Sequence, residues 1–157
     1  MCGRFSLGVD TDQLIHEFHL AEVAVDHQPR FNLAPTQDVP AVVSGDTGLR
    51  LGSLRWGLVP SHSRDMSGPL LINARSETVD RKPAFADSFR RRRCWVLADG
   101  FYEWVRGDGD ARLPYHIRPA HGRPFAFAAI WDRWRDPRGE PLVSCAILTT
   151  DAAPRIA

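Results

Sequence analysis

Residues 93–105 read RCWVLADGFYEWV, a run of apolar and aromatic side chains interrupted near its middle by the pair DG. Aromatic and β-branched residues are enriched in strands, so this stretch is predicted to form a strand. Successive side chains of a strand point to opposite faces, which places Tyr102 and Trp104 on one face and Glu103 on the other. The fold is therefore expected to contain a strand that carries a carboxylate between two aromatic residues.

The segments before and after this stretch predict further strands. Short apolar runs alternate with turns rich in Gly, Pro and Asp, the residues that favour tight turns. The predicted strands are VPAVV (39–43), LRLGSLRW (49–56), a short buried strand within PLLINARSETV (69–79), RLPYHIRP (112–119), RPFAFAAIWDRW (123–134) and LVSCAILTT (142–150).

Two segments predict helices. DTDQLIHEFHL (10–20) can be capped by Asp10 or Thr11, and its apolar residues recur on one face. KPAFADSFRRRR (82–93) has Pro83 at the first helical position and two Phe residues four apart. The expected fold is a single α+β domain over residues 1–157, mostly antiparallel strands with two or three helices.

The overall composition is that of an ordinary globular protein. The chain has 157 residues, of which 43% are hydrophobic and 25% charged, with a net charge of +1. Its apolar runs fall well short of the ~20 residues that span a bilayer. The N-terminus lacks the basic and then apolar pattern of a secretory signal, so a cytoplasmic protein is expected.

The three cysteines occupy different contexts. Cys94 and Cys145 lie in apolar strings and are predicted to be buried thiols. Cys2 follows the initiator Met in MCGRF, and removal of Met before a small side chain would leave a thiol and a free α-amine on one residue. Such an aminothiol condenses with aldehydes to form a thiazolidine ring. Only one lysine, Lys82, competes as a side-chain amine.

Two further groups of residues are candidates for a site. Asn73 and Glu103 lie in or beside predicted strands among apolar neighbours. Asn73 could be a structural hydrogen-bonding residue, and Glu103 could be either a solvated residue at a strand end or a general acid held between aromatic side chains. Arginines also alternate with aromatic residues along the chain. Either the aromatic residues fill the core of a β-domain, or the arginines and aromatic residues together line a groove for single-stranded nucleic acid. The six histidines show no metal-ligand spacing, so no metal site is expected.

Seven motifs in order resemble the SOS-response-associated peptidase (SRAP) family. They are MCGRF, RFNLAPT, RWGLVPS, INARSET, DGFYEW, FAFAAIWD and ILTTDA, and they run from residue 1 to about residue 152. The resemblance implies a bent or bifurcated sheet with a few helices. It also implies that the chain recognises abasic sites in single-stranded DNA and traps the ring-opened sugar aldehyde as a thiazolidine on the N-terminal cysteine, shielding the lesion.

The resemblance also implies a role for each matching residue. Cys2 corresponds to the residue that forms the cross-link, Asn73 to the amide that orients it, and Glu103 to the acid/base. DNA contacts are implied for Arg4 and Arg75 at phosphates, for Pro35 and Trp104 against bases, and for Thr149 in the pocket. The enzyme class implied is a hydrolase or lyase, with an older peptidase proposal for Cys2. The resemblance implies no cofactor and a monomer.

Two departures from the family pattern stand out. His62 occupies a position that is usually Trp in the family, so the DNA contact there would have less stacking area. The chain also ends at APRIA, before an IHDRMP-like motif that carries a His in family members. The expectation is therefore that a C-terminal part is missing, which would slow the acid/base chemistry.

Three functions remain open from the sequence. The first is the covalent lesion trap. The second is a non-covalent single-stranded DNA-binding module whose chemistry has been lost with the missing part. The third is a protease or amidase that uses Cys2 as an N-terminal nucleophile, with Asn73 and Glu103 as its partners.

Overall fold

The computed structural model describes residues 3–107 and 111–151. Within these ranges the chain forms eleven strands and two short helices. In chain order the elements are β1 (Phe5–Leu7), α1 (Thr11–Phe18), β2 (Glu22–Val23), β3 (Arg30–Leu33), β4 (Asp38–Ser44), β5 (Leu49–Trp56), β6 (Asn73–Arg75), α2 (Ala86–Arg91), β7 (Arg93–Ala98), β8 (Gly100–Arg106), β9 (Arg112–Ile117), β10 (Phe125–Arg135) and β11 (Pro141–Thr149).

Five long strands close into a ring. β5, β4, β7, β10 and β11 pair in that order through antiparallel ladders, and β11 then returns to β5 in a short parallel pairing at Cys145 and Trp56. Two short strands extend the ring, β2 along β5 and β6 along β11, both parallel. Because side chains alternate along each strand, every second residue of the ring faces its interior.

A second sheet packs at one end of this ring. It has four antiparallel strands in the order β3-β1-β8-β9. The stretch predicted above as one strand is therefore two: β7 belongs to the ring and β8 to the second sheet. The single-strand prediction is wrong at Asp99, where the chain changes sheets because the Asp99 carboxylate, 5% exposed, accepts hydrogen bonds from Ser6 Oγ (2.6 Å) and the Gly8 N–H (2.8 Å).

The core between the two sheets contains a network of aromatic contacts. Phe5 packs against Trp56 at 5.2 Å between ring centroids and against Phe127 at 5.7 Å. Phe101, on β8 of the second sheet, also contacts Phe127. Phe5 and Trp56 are completely buried, as are Leu33 and several aliphatic side chains of the ring. This core fixes the N-terminal strand to the ring.

The helix predictions hold only in part. α1 begins after Asp10, whose carboxylate accepts a hydrogen bond from the Gln13 N–H (2.8 Å), as the capping pattern predicted. α2 begins at Ala86, three residues later than Pro83. Its N-cap, Phe85, makes no side-chain capping hydrogen bond, and Lys82 carbonyl oxygen accepts turn-type bonds from Phe85 and Ala86. The residues before Ala86 therefore form turns rather than a first helical turn.

The predicted fold class is confirmed in its main feature and refined in its balance. Most strand pairings are antiparallel, as expected, with parallel pairings confined to β2, β6 and the closure of the ring. The helical content is small, so the domain is mostly β with two sheets. Neither helix in the described ranges has the length and apolar character needed to cross a bilayer.

Trp56 is expected to dominate the stability of this core. Replacing it with Ala removes a fully buried ring and should lower the free energy of unfolding by about 3–5 kcal/mol. Trp56→Phe keeps most of the ring but loses the indole hydrogen bond to the Ile72 carbonyl (2.9 Å), at a cost of about 1–3 kcal/mol. Urea unfolding measures both. Trp95→Ala is the control, since Trp95 is 42% exposed and should cost about 1 kcal/mol or less; equal losses at both positions would contradict this account.

Candidate functional site

The N-terminal strand runs beside the strand that carries Glu103. Phe5 pairs with Phe101 and Ser6 with Gly100, antiparallel, and the Tyr102 N–H donates to the Arg4 carbonyl at 2.9 Å. The N-terminal end of β1 therefore points along β8 in the direction of Glu103. Cys2, the predicted cross-linking residue, lies outside the described residues.

Glu103 lies on the side of the β8–β9 ribbon that also carries Tyr115. The two residues are directly opposite in the antiparallel pairing, so their side chains share a face. Trp104 pairs with Pro114 on the other face, where Tyr102 stacks on His116 at 4.5 Å. Glu103 is half-buried. The aromatic residue directly opposite this carboxylate is thus Tyr115, which the sequence analysis did not identify.

Asn73, Arg75 and Thr149 come together at one end of the ring. β6 pairs with β11 in parallel, with Asn73 opposite Ile147 and Arg75 opposite Thr149. All of them share the face that, further into the core, carries the buried Ile147. Arg75 is exposed and pairs with Asp151 at 3.2 Å. Thr149 Oγ1 is buried without a hydrogen-bond partner in the part of the chain that the structure describes.

Trp56 connects these two groups of residues. Its ring packs against Phe5 on β1, and its indole N–H donates to the carbonyl oxygen of Ile72, the residue before Asn73. Ile147 N–H donates to the same Ile72 oxygen at 3.0 Å. A buried side chain thereby sets the position of β6 relative to the N-terminal strand.

The turn that carries Pro35 is fixed to the same tryptophan. Thr36 N–H donates to the Trp56 carbonyl at 2.7 Å, and Trp56 N–H donates to the Gln37 carbonyl at 2.9 Å. Thr36 has a φ of 73°, a left-handed conformation that non-glycine residues adopt rarely. Beside this turn, on β3, the Asn32 amide oxygen accepts a hydrogen bond from Arg4 at 2.8 Å. Arg4, just before β1, and Pro35, in the turn after β3, therefore adjoin neighbouring strands.

His62 lies on a separate loop that is anchored to β10. Asp132, almost fully buried, accepts a hydrogen bond from the Ser61 N–H (2.8 Å), and Trp134 Nε1 donates to the Ser63 carbonyl (2.8 Å). The His62 side chain is exposed and lines a cavity of about 270 Å³. Hydrogen bonds anchor the loop on both sides of His62, although β10 is distant in sequence.

A polar cluster that the sequence analysis missed holds β1, β8 and β9 together. Ser6 Oγ donates to Asp99 Oδ1 and lies 2.8 Å from His116 Nε2. Arg118 adds a longer ion pair to Asp99 at 3.9 Å. At Gly100, a Cβ atom would stand 2.3 Å from His116 Nε2, so only glycine allows this approach. Residues from three distant segments form the cluster, which explains why no local sequence pattern predicted it.

The two cysteines in the described part of the chain are free thiols. Cys94 and Cys145 are buried in the ring, as predicted, and neither forms a disulfide. Burial raises the pKa of Cys94 to about 12 and raises the pKa of Cys145 well above its ordinary value. The described residues also contain no group of three or more His, Cys, Asp or Glu that could hold a metal ion.

Comparisons with known proteins agree on one family. The model of the family described as SOS response associated peptidase (SRAP) matches residues 1–157. The abasic site processing protein YoqW of Bacillus subtilis is 39% identical over 153 residues, which cover 96% of this chain and 68% of that protein. The abasic site processing protein HMCES of Xenopus tropicalis is 32% identical over 158 residues, covering 81% of this chain and 47% of that protein.

A solved structure shares the fold over nearly the same range. A protein from Bacteroides thetaiotaomicron superimposes with a TM-score of 0.83 at 27% identity, covering 96% of this chain and 68% of that one. A protein from Bordetella bronchiseptica gives the same TM-score at 24% identity, covering 96% of this chain and 73% of that one, which supports the fold alone.

The buried thiols make a selective labelling experiment possible. At pH 8, iodoacetamide should modify the native protein at a single cysteine, Cys2, because a thiol with a pKa of about 12 is roughly one part in 10⁴ thiolate at that pH. Peptide mass mapping locates the label. The same reaction in urea should modify all three cysteines. Rapid labelling of Cys94 or Cys145 in the native protein would contradict the buried ring.

Proposed function

This chain belongs to the SRAP family, and on that basis we propose that it processes abasic sites in single-stranded DNA by forming a covalent adduct on Cys2. The names of the relatives support the substrate, since the curated relatives described above are both abasic site processing proteins. The arrangement that carries the proposal is the antiparallel pairing of β1 with β8, which directs the N-terminal strand toward Glu103.

The proposed chemistry joins an aminothiol to an aldehyde. The deoxyribose of an abasic site opens when the proton of its C1′ hydroxyl is removed and the ring oxygen is protonated. The α-amine of Cys2, free once Met1 is removed, attacks the aldehyde carbon, and loss of one water gives an imine. The thiolate then adds to the same carbon, forming the C–S bond, while the nitrogen takes up a proton. The net reaction releases one water and needs no oxidant.

Each residue of the site has a role in this scheme. Glu103 transfers protons during ring opening and ring closure. The amide of Asn73 orients the amine and the adduct, with β6 held in register by β11 and Trp56. Thr149 is assigned a hydrogen bond to the sugar, which is supported by a buried Oγ1 that has no partner in the described part of the chain.

The DNA contacts surround these groups. Arg4 and Arg75 bind phosphates, and the turn that carries Pro35, hydrogen-bonded to Trp56, contacts a base on one side of the lesion. Trp104, 43% exposed, offers a surface for a base on the outer side of the β8–β9 ribbon. His62 contacts DNA from the loop anchored to β10, with less stacking area than the Trp it replaces. We propose that the chain acts as a monomer in the cytoplasm.

A denaturing gel tests the covalent step. Wild-type protein mixed with a single-stranded oligonucleotide that contains one abasic site should give a shifted band, and an oligonucleotide without the lesion should not. Cys2→Ala should abolish the band. Glu103→Gln should slow its formation by roughly 10²–10⁴-fold, the range for general acid/base groups, while DNA binding changes little. Glu140→Gln, in the exposed turn before β11, is the matched control and should behave as wild type.

The outcomes separate the competing functions. A band that requires Cys2 supports trapping, and intact mass should then show a protein lighter by Met1. Binding under native conditions with no band on a denaturing gel would favour a non-covalent single-stranded DNA-binding module. Intact DNA together with peptide turnover would favour a Cys2-dependent peptidase. Equal losses of binding and cross-linking in Glu103→Gln would assign Glu103 a structural role.

Salt dependence tests the phosphate contact of Arg75. Its ion pair with Asp151 is largely exposed and so contributes little to stability, which leaves the guanidinium available to a phosphate. In Arg75→Ala, the slope of log K against log salt should become shallower by about 0.7, the value for one phosphate contact on a single strand. Binding of an oligonucleotide with a tetrahydrofuran lesion analogue measures this. Arg138→Ala, in the turn after β10, should leave the slope unchanged; an unchanged slope in Arg75→Ala would remove the residue from the interface.

A further inference from the structure

An exposed apolar strip continues from Glu103 along the β8–β9 ribbon. Glu103 is opposite Tyr115 and Val105 is opposite Leu113, so all four side chains share one face. Tyr115, Val105 and Leu113 are 52%, 54% and 51% exposed. Three large apolar side chains lie side by side at the surface, and the first of them directly adjoins the carboxylate.

The strip begins where the ribbon emerges from the second sheet. On the same face, Phe101 packs against Phe127 in the core, and the β1 pairing with β8 is at Phe101 and Gly100. Beyond that point Tyr115 and its apolar neighbours are exposed. Two strands on their own are marginally stable, and exposed contiguous apolar surface commonly marks a binding site.

The chemistry of an abasic nucleotide indicates what covers this strip. A nucleotide without a base leaves a gap in the stack, so the base next to it has lost one stacking partner. Directly opposite residues in an antiparallel pair have Cβ atoms about 4.5–5.5 Å apart, which places the Tyr115 ring beside the carboxylate that would act on the sugar. An aromatic ring there can replace the missing partner, and such stacking tolerates any base.

We propose that Tyr115, supported by Leu113 and Val105, binds the base that flanks the lesion and thereby positions the abasic sugar against Glu103. This inference rests on the proposed function, because it assigns a further base contact to the same site. The occupant is one unstacked base of the damaged single strand. The hydroxyl of Tyr115 is not required, since the ring face provides the contact.

A coupling experiment between residue and base tests the proposal. Binding is measured with oligonucleotides that carry a tetrahydrofuran lesion analogue, either with normal neighbours or with the 5′ or the 3′ neighbouring base also removed. Tyr115→Ala should bind the normal oligonucleotide about tenfold more weakly than wild type, within the range for loss of one base–aromatic stack. Tyr115→Phe should stay within about twofold of wild type.

Removal of the neighbouring base distinguishes stacking from a structural effect. In wild type, removing the neighbouring base on one side of the lesion should weaken binding about tenfold. In Tyr115→Ala, removing the same base should weaken binding almost no further, because the aromatic ring that it stacks on is already absent. Trp95→Ala is the control, because Trp95 is an aromatic residue of similar exposure that lies on the ring. Its substitution and the removal of the neighbouring base should affect binding independently. Urea unfolding of each variant confirms that it is folded.

The failures of the two proposals are distinguishable. Two results would overturn the inference about Tyr115 while wild type still forms the Cys2 cross-link, and the covalent function would then stand. In the first, Tyr115→Ala binds DNA as tightly as wild type; in the second, the effects of Tyr115→Ala and of removing the neighbouring base on affinity are additive. If coupling is observed but no cross-link forms, the covalent function fails and the base contact stands. A dimer in wild type that Tyr115→Ala dissociates, with DNA binding unchanged, would instead identify the strip as a contact between copies and overturn the inference.

Discussion

The candidate site depends on the contacts that the buried residue Trp56 makes. Its ring packs against Phe5, its N–H donates to the Ile72 carbonyl, and its backbone bonds the turn between Pro35 and Gln37. These three segments lead to the N-terminal strand, to Asn73 and to the turn predicted to meet a base. Protein cores are close-packed, so a shift of this ring would displace all three together. Residues far apart in the sequence thus share one reference point.

A second constraint acts where the chain passes from one sheet to the other. Asp99 is a buried carboxylate, which is costly to bury unless it is hydrogen-bonded, and Ser6 Oγ and the Gly8 N–H supply those bonds. His116 completes the cluster from β9. The cluster ties the N-terminal strand to the ribbon that carries Glu103. A short strand of three residues would otherwise be weakly specified in register.

Local patterns predicted the parts of the fold that local forces determine. The cap at Asp10 and the alternating strands follow from residues a few positions apart, and both are present. At Asp99 the pair DG is the one local sign of a break, and the cause of the break, a bond to Ser6 93 residues away, cannot be read from neighbouring residues. Tyr115 escaped notice for a similar reason: its relation to Glu103 arises only from the hairpin pairing. The matching motifs named the candidate residues, but not the contacts that place them.

In the proposed mechanism the reagent is at a chain terminus, and this requires the neighbouring structure to be well constrained. A terminal residue has one covalent neighbour instead of two, and termini are poorly ordered unless they are tied down. An aminothiol needs its amine free, so in the proposed mechanism it cannot be fixed through its own backbone nitrogen. Order must then come from the next residues: the Arg4 carbonyl bonded to Tyr102, Phe5 in the core and Ser6 in the Asp99 cluster. Three successive residues with three different anchors therefore hold the N-terminal strand in place.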